Sequence, residues 1–149
     1  MKNDIKTRLD LLEKKLITPE NFSVREYLNY GSYSVVTESD RELILKEFEQ
    51  LSTVEQQQNL SILWALQPYR TDAGFSFFIT CGKRTKRHEL SKGRSGESSH
   101  LWGAVDITTV EQGQIIYLSN LFSNKWMGGF KHYQRKHFVH IDLGKNRTW

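Results

Sequence analysis

The chain has 149 residues, of which 38% are hydrophobic and 26% charged. That length buries a core without metal or disulfide staples, and that balance excludes wholesale disorder. A single cysteine excludes a disulfide framework and any multi-cysteine zinc site. The net charge of +4 suits an anionic partner, whether nucleic acid, an acidic membrane surface or a cell-wall polymer, and selects none of them. No apolar run reaches the length of a membrane span. Met1-Lys2-Asn3-Asp4 leads into charged helical sequence rather than a signal peptide's apolar segment, so synthesis in the cytoplasm is expected.

Ile5, Leu9, Leu12 and Leu16 recur at helical spacing and predict a helix from Asp4 to Leu16, an N-terminal arm over 1–17. Thr18-Pro19-Glu20 marks a stop and a new start. A short element over Phe22 to Leu28 and a loop at Tyr30 to Tyr33 follow. Leu43, Leu45 and Phe48 predict a helix over Glu38 to Leu51. Ser52-Thr53-Val54-Glu55 has the capping-box pattern, in which a hydroxyl accepts from an orphan amide and a carboxylate reaches back to the cap. It opens a helix through Leu60, Leu63 and Leu66 that is expected to stop near Pro68. The run Gln56-Gln57-Gln58 is expected on that helix's solvated face.

Beyond Gly74 the character changes. Phe75 to Thr80 is β-branched and aromatic, which predicts a strand. Cys81 to Ser99 is a long polar stretch that concentrates Lys83, Arg84, Lys86, Arg87, Lys92 and Arg94, too long for an incidental connection. A strand over Ala104 to Thr108, a helix over Ile115 to Phe122, and two strands over Phe130 to Tyr133 and Phe138 to Leu143 complete the chain. Helices first and strands afterwards make an α+β fold, read as one domain over 1–149.

In the last strand Val139, Ile141 and Leu143 share one face, and Phe138, His140 and Asp142 the other. Ala104 to Thr108 alternates likewise, with Val105 and Ile107 opposite Asp106. If the two strands share a sheet, His140 and Asp106 converge, and His100 enters from the preceding loop. Two imidazoles and a carboxylate leave a fourth coordination position open, as catalytic zinc sites do. Water bound there ionises near neutral pH and becomes a nucleophile. Cobalt or nickel also suits such ligands.

Ser98-Ser99-His100-Leu101-Trp102-Gly103-Ala104-Val105-Asp106-Ile107 resembles the motif S-x-H-x-x-G-x-A-x-D of the zinc D-Ala-D-Ala carboxypeptidase and murein endopeptidase family. Gly128-Gly129-Phe130, and Phe138 to Gly144 with Arg147 and Trp149, resemble its closing segment. Cys81-Gly82-Lys83-Arg84-Thr85 is similar to its S-G-Y-R-S segment, and Phe22 to Tyr27 to its opening pattern. The resemblance implies N-terminal helices packed on a small, mostly antiparallel sheet, the zinc fold shared with the hedgehog signalling domain. It implies zinc on His100, Asp106 and His140, with Arg84 and Ser98 facing the substrate. An arginine fork gives a peptide carboxylate or carbonyl two charge-assisted bonds. Trp102 and Trp149 would flank the cleft.

The chain departs from the pattern in three places. One residue is missing between Gly103 and Ala104, which shortens the spacing from His100 to Asp106. Lys83 replaces the family tyrosine. Cys81 replaces the serine opening that segment, and is read as a buried strand-end residue rather than a nucleophile. The general base has two candidates. His137 stands where several branches of the family carry a carboxylate, and imidazole titrates near neutrality. Asp142 shares a face with His140, either as base or as support for a ligand. His88 and His132 read as ordinary surface histidines.

The resulting expectation is a monomeric zinc peptidase acting on peptidoglycan stem peptides or cross-bridges. The basic loop would border the cleft and suit an anionic wall polymer, and the protein would act on the wall after release, as a phage-type lytic enzyme or in a virion. A catalytically inactive wall-binding module of the same fold is the alternative if the shortened motif misplaces Asp106. Nucleic-acid binding through the Lys83 to Arg94 cluster would be steeply salt-dependent. It leaves His100, Asp106 and His140 unexplained.

Overall fold

The computed structural model describes residues 2–85, 89–90, 98–144 and 147–148. Five helices come first: α1 (Lys2–Lys15), α2 (Val24–Tyr27), α3 (Glu38–Gln50), α4 (Thr53–Asn59) and α5 (Ser61–Ala73). Strands β1 (Phe78–Cys81) and β2 (Ala104–Thr108), helix α6 (Gln112–Lys125), and strands β3 (Gly129–Tyr133), β4 (Phe138–Asp142) and β5 (Arg147–Thr148) follow. The fold is α+β. Among the described residues no helix is long and apolar enough to cross a membrane.

Local chemistry sets the helix starts. Ser23 with Glu26 and Ser52 with Glu55 form capping boxes for α2 and α4. Thr37 caps α3 by accepting from the Asp40 amide. Pro68 does not stop its helix but lies inside α5, which runs on to Gly74 in the left-handed conformation at φ 72. The proline removes the bond to the Trp64 carbonyl, on a residue 46% exposed where water can replace it. The real break is at Leu60, which ends α4 and begins α5. The glutamine run is not a solvated face either. Gln56 is fully buried and donates to the Phe48 carbonyl at 2.8 Å, while Gln57 brackets the backbone of Ile17.

The sheet has the order β1-β2-β4-β3-β5, antiparallel throughout except for β5 beside β3. One face carries Ile79, Val105, Ile107, Phe130, Val139 and Ile141 into a core shared with the helices, including Leu9, Leu12 and Leu16 of the α1 segment. Burying each of the aliphatic side chains contributes about 1.5–3 kcal/mol. That burial pins the register, because a slip of one residue would drive Asp106 and His140 into the core. The strand ends at Asp142, so Leu143 leaves the apolar row expected of it and stands 39% exposed. The opposite face carries, across one line of the sheet, Cys81, Asp106, His140 and Lys131.

Candidate metal centre

Asp106 and His140 are direct cross-strand partners on β2 and β4. His140 Nδ1 lies 2.9 Å from Asp106 Oδ1, and His100 Nε2 approaches the same oxygen at 3.3 Å. His100 sits in a one-turn 3-10 helix, Ser99–Leu101, just before β2. Its amide donates to Ser98 Oγ at 3.2 Å, so Ser98 caps the turn that carries the histidine. The missing residue after Gly103 therefore does not part the pair. All three side chains are buried.

Each imidazole is held by its other nitrogen. His100 Nδ1 donates to the Gly82 carbonyl at 2.7 Å, and His140 Nε2 donates to Asp142 Oδ2 at 2.8 Å. The groups behind these bonds are fixed in turn. Asn29, in the left-handed conformation at φ 73, accepts from the Gly82 amide and donates to the Lys83 carbonyl, both at 2.7 Å. A Cβ on Gly82 would lie 2.1 Å from the Tyr27 carbonyl oxygen, so only glycine allows this approach. Asp142 Oδ1 accepts from the amides of Gly129 and Gly144 at 3.2 and 2.9 Å.

With those protons assigned, His100 Nε2 and His140 Nδ1 are left as lone pairs facing one carboxylate oxygen. Lone pairs so close repel unless a proton or a cation lies among them. Two imidazoles and a carboxylate, each oriented by an outer hydrogen bond, are the donor chemistry of a zinc-type cation. Without metal a proton serves. Burial lowers the proton affinity of His140, but Asp106 and Asp142 outweigh it and the net shift is upward. Burial likewise raises Asp106, yet His100 and His140 outweigh it and hold its carboxyl well below the usual range.

Beside these ligands opens a cleft of about 580 Å³, bordered by Tyr33, Cys81, Arg84, Asp106, His137 and Phe138, among others. Arg84 Nη1 lies 3.3 Å from Glu89 Oε1 and Nη2 lies 3.9 Å from Asp106 Oδ2, so the guanidinium is aimed between two carboxylates. His137 precedes β4 in the left-handed conformation at φ 53, and this turn takes it out of the strand's alternation. Its Nε2 lies 3.1 Å from the Thr109 carbonyl, and its buried Nδ1 has no partner among the described residues. Asp142 is fully buried behind His140 and is not part of the cleft lining. Ser98 and Trp102 do not line it either, and Trp102 is 46% exposed.

Four features escaped the sequence reading. Cys81 Sγ, a His100 nitrogen and an Asp106 oxygen all lie within 4.8 Å of one another, a group that does not take in His140. Glu89, fully buried, orients Arg84. Lys83 is buried rather than part of a basic surface; its ammonium donates to Asn59 Oδ1 at 2.9 Å and to the Leu101 carbonyl, tying α4 to the His100 turn. His132 is half-buried against α6, not on open surface. Lys86, Arg87, His88, Lys92, Arg94 and Trp149 lie outside the described residues.

Buried histidines and an aspartate thus converge beside a cleft in an α+β fold. The model of the Peptidase M15 family matches residues 39–142, and the chain belongs to that family of zinc-dependent peptidases. No curated protein matches the chain.

Proposed function

We propose that this protein is a zinc peptidase that hydrolyses D-Ala-containing peptide bonds in peptidoglycan stem peptides or cross-bridges, with His100 Nε2, Asp106 Oδ1 and His140 Nδ1 as the zinc ligands. The observation that carries this reading is the approach of two histidine nitrogens to one Asp106 oxygen, at 3.3 and 2.9 Å, beside the cleft. Zinc in that set supplies Lewis acidity and makes water acidic enough to ionise near neutral pH.

The chain's own residues do the rest. Arg84, held by Glu89, binds a carboxylate or carbonyl of the peptide through its fork. His137 donates from Nε2 to the Thr109 carbonyl, which leaves Nδ1 as the acceptor that takes the nucleophile's proton and returns it to the leaving amine. Asp142 supports His140 and is not the base, since its carboxylate is buried against His140 and two backbone amides. The approach of Asp106 to His100 despite the shortened motif supports the catalytic reading over an inactive wall-binding module. The nucleic-acid reading loses Lys83 from its cationic surface.

Elemental analysis of chelator-free protein tests the reading, with His100→Ala and Asp106→Ala beside wild type. About one zinc per wild-type chain, lost in both variants, is expected, together with release of amino groups from cross-linked muropeptides. Wild-type protein that takes up no zinc after reconstitution would sink it.

A further inference from the structure

Cys81 stands among the ligands through a local irregularity. β1 pairs with β2 through Phe78–Thr108 and Ile79–Ile107, and strict alternation would then set Thr80 opposite Asp106. The register shifts after Ile79, and Cys81 becomes the partner of Asp106 instead. Its sulfur lies within 4.8 Å of donor atoms of both His100 and Asp106, and the residue is 3% exposed. Among the described residues the thiol makes a weak hydrogen bond to the neighbouring Gly82 carbonyl at 3.9 Å and meets the Arg84 guanidinium.

The side on which the thiol lies matters. Cys81 and Asp106 both border the cleft, which His100 and His140 do not. A donor added from Cys81 therefore reaches the metal from the cleft side, where a fourth position would otherwise be open.

We infer that Cys81 is a fourth metal ligand, an inference that rests on the ligand reading of His100, Asp106 and His140 proposed above. The thiol loses its proton to solvent as the sulfur–metal bond forms. A metal held there would meet the sulfur from the side that borders the cleft, where Arg84 would give a displaced thiolate a cationic neighbour. The site takes softer cations than a set of nitrogen and oxygen alone would.

Cobalt(II) titration of metal-free protein reads this directly, because a thiolate on cobalt gives an intense near-ultraviolet charge-transfer band that nitrogen and oxygen ligands lack. Cys81 is the chain's single cysteine, so the wild-type spectrum alone assigns the band. The expected result is that band at about one equivalent of cobalt. Cys81→Ser should abolish the band and weaken cobalt affinity by at least the roughly 10–100-fold that loss of an outer support costs. Far-ultraviolet circular dichroism of the metal-free variant checks its fold, and Cys81→Ala serves if the serine variant does not fold. Cobalt bound with visible bands alone would overturn the thiolate ligand and leave the three-ligand site standing. Failure of wild type to bind cobalt at all would overturn both.

Discussion

His140 Nδ1 and Asp106 Oδ1 face each other at 2.9 Å across β4 and β2; against burial, His100 and His140 hold Asp106 below its ordinary range, and Asp106 with Asp142 holds His140 above its own. Asp106, held low, contributes stability that is present above the unfolded carboxylate value of about 4 and lost below it. His140, held high, contributes stability that is complete below the unfolded imidazole value of about 6.5 and lost as pH rises through its folded value. The metal-free protein is therefore expected to be most stable between those limits. Thermal unfolding of chelator-treated protein should show its midpoint falling on both sides of that window, and Asp106→Asn should flatten both limbs. Saturating zinc should reverse the upper limb, since metal competes with protons for the imidazoles. A metal-free midpoint that stays level above pH 6.5 would contradict the pairing.

Gly129 faces Asp142 so closely that a Cβ there would lie 2.5 Å from Oδ1 and 2.6 Å from Oδ2. Gly129→Ala should push the carboxylate off His140 Nε2. Zinc affinity is expected to fall by about 10–100-fold, with about 1–3 kcal/mol of stability lost to overpacking. Gly113, in α6, has nothing within 4 Å of the same added atom. Gly113→Ala should therefore raise stability by about 0.4–1 kcal/mol and leave metal affinity unchanged. Zinc titration and urea unfolding of the two variants separate a ligand support from a permissive helix position.

How far the sequence discloses this site depends on which physical signal carries each part. Periodicity in β2 and β4 suffices for Asp106 and His140, because both strands bury an aliphatic row and the other face follows from a period of two. The Ser52 capping box is equally legible, since it is set by two side chains and the local backbone. Cys81 is not legible, because a bulge breaks the alternation that would predict its partner. Lys83 reads as one more charge in a basic run; only the tertiary approach of Asn59 and Leu101 buries it. His137 depends on a left-handed turn that no pattern in the strand announces.

Lys83 lends itself to a second test of pH dependence. Burial lowers its ammonium to about 8, with Glu47 acting in the other direction. A folded value below the unfolded one means the native state sheds its proton first. Stability should then rise with pH from about 8 until the unfolded lysine also titrates, near 10.4. Urea unfolding across that range should show the slope in wild type and not in Lys83→Met. The same variant frees the Leu101 carbonyl beside His100, so zinc should bind more weakly, by less than the roughly 10–100-fold expected when Asp142 is displaced. An unchanged slope would show that Lys83 does not titrate as a buried group.

His137 permits a test in which stability and activity should part company. Its backbone is held at φ 53, a conformation that costs a non-glycine residue about 1–2 kcal/mol. His137→Gly removes that strain, and the variant gives up the bond from Nε2 to the Thr109 carbonyl at 3.1 Å. Urea unfolding should find it as stable as wild type or more so, by up to about 1 kcal/mol. If His137 Nδ1 takes the nucleophile's proton, kcat on muropeptides should nevertheless fall by about 10²–10⁴-fold. Zinc content should stay at the wild-type level, because His137 holds none of the ligands. Added imidazole should restore part of the lost rate, which a residue that merely shapes the turn would not allow. Full activity in His137→Gly would remove it from the reaction and return the proton transfer to another group at the cleft.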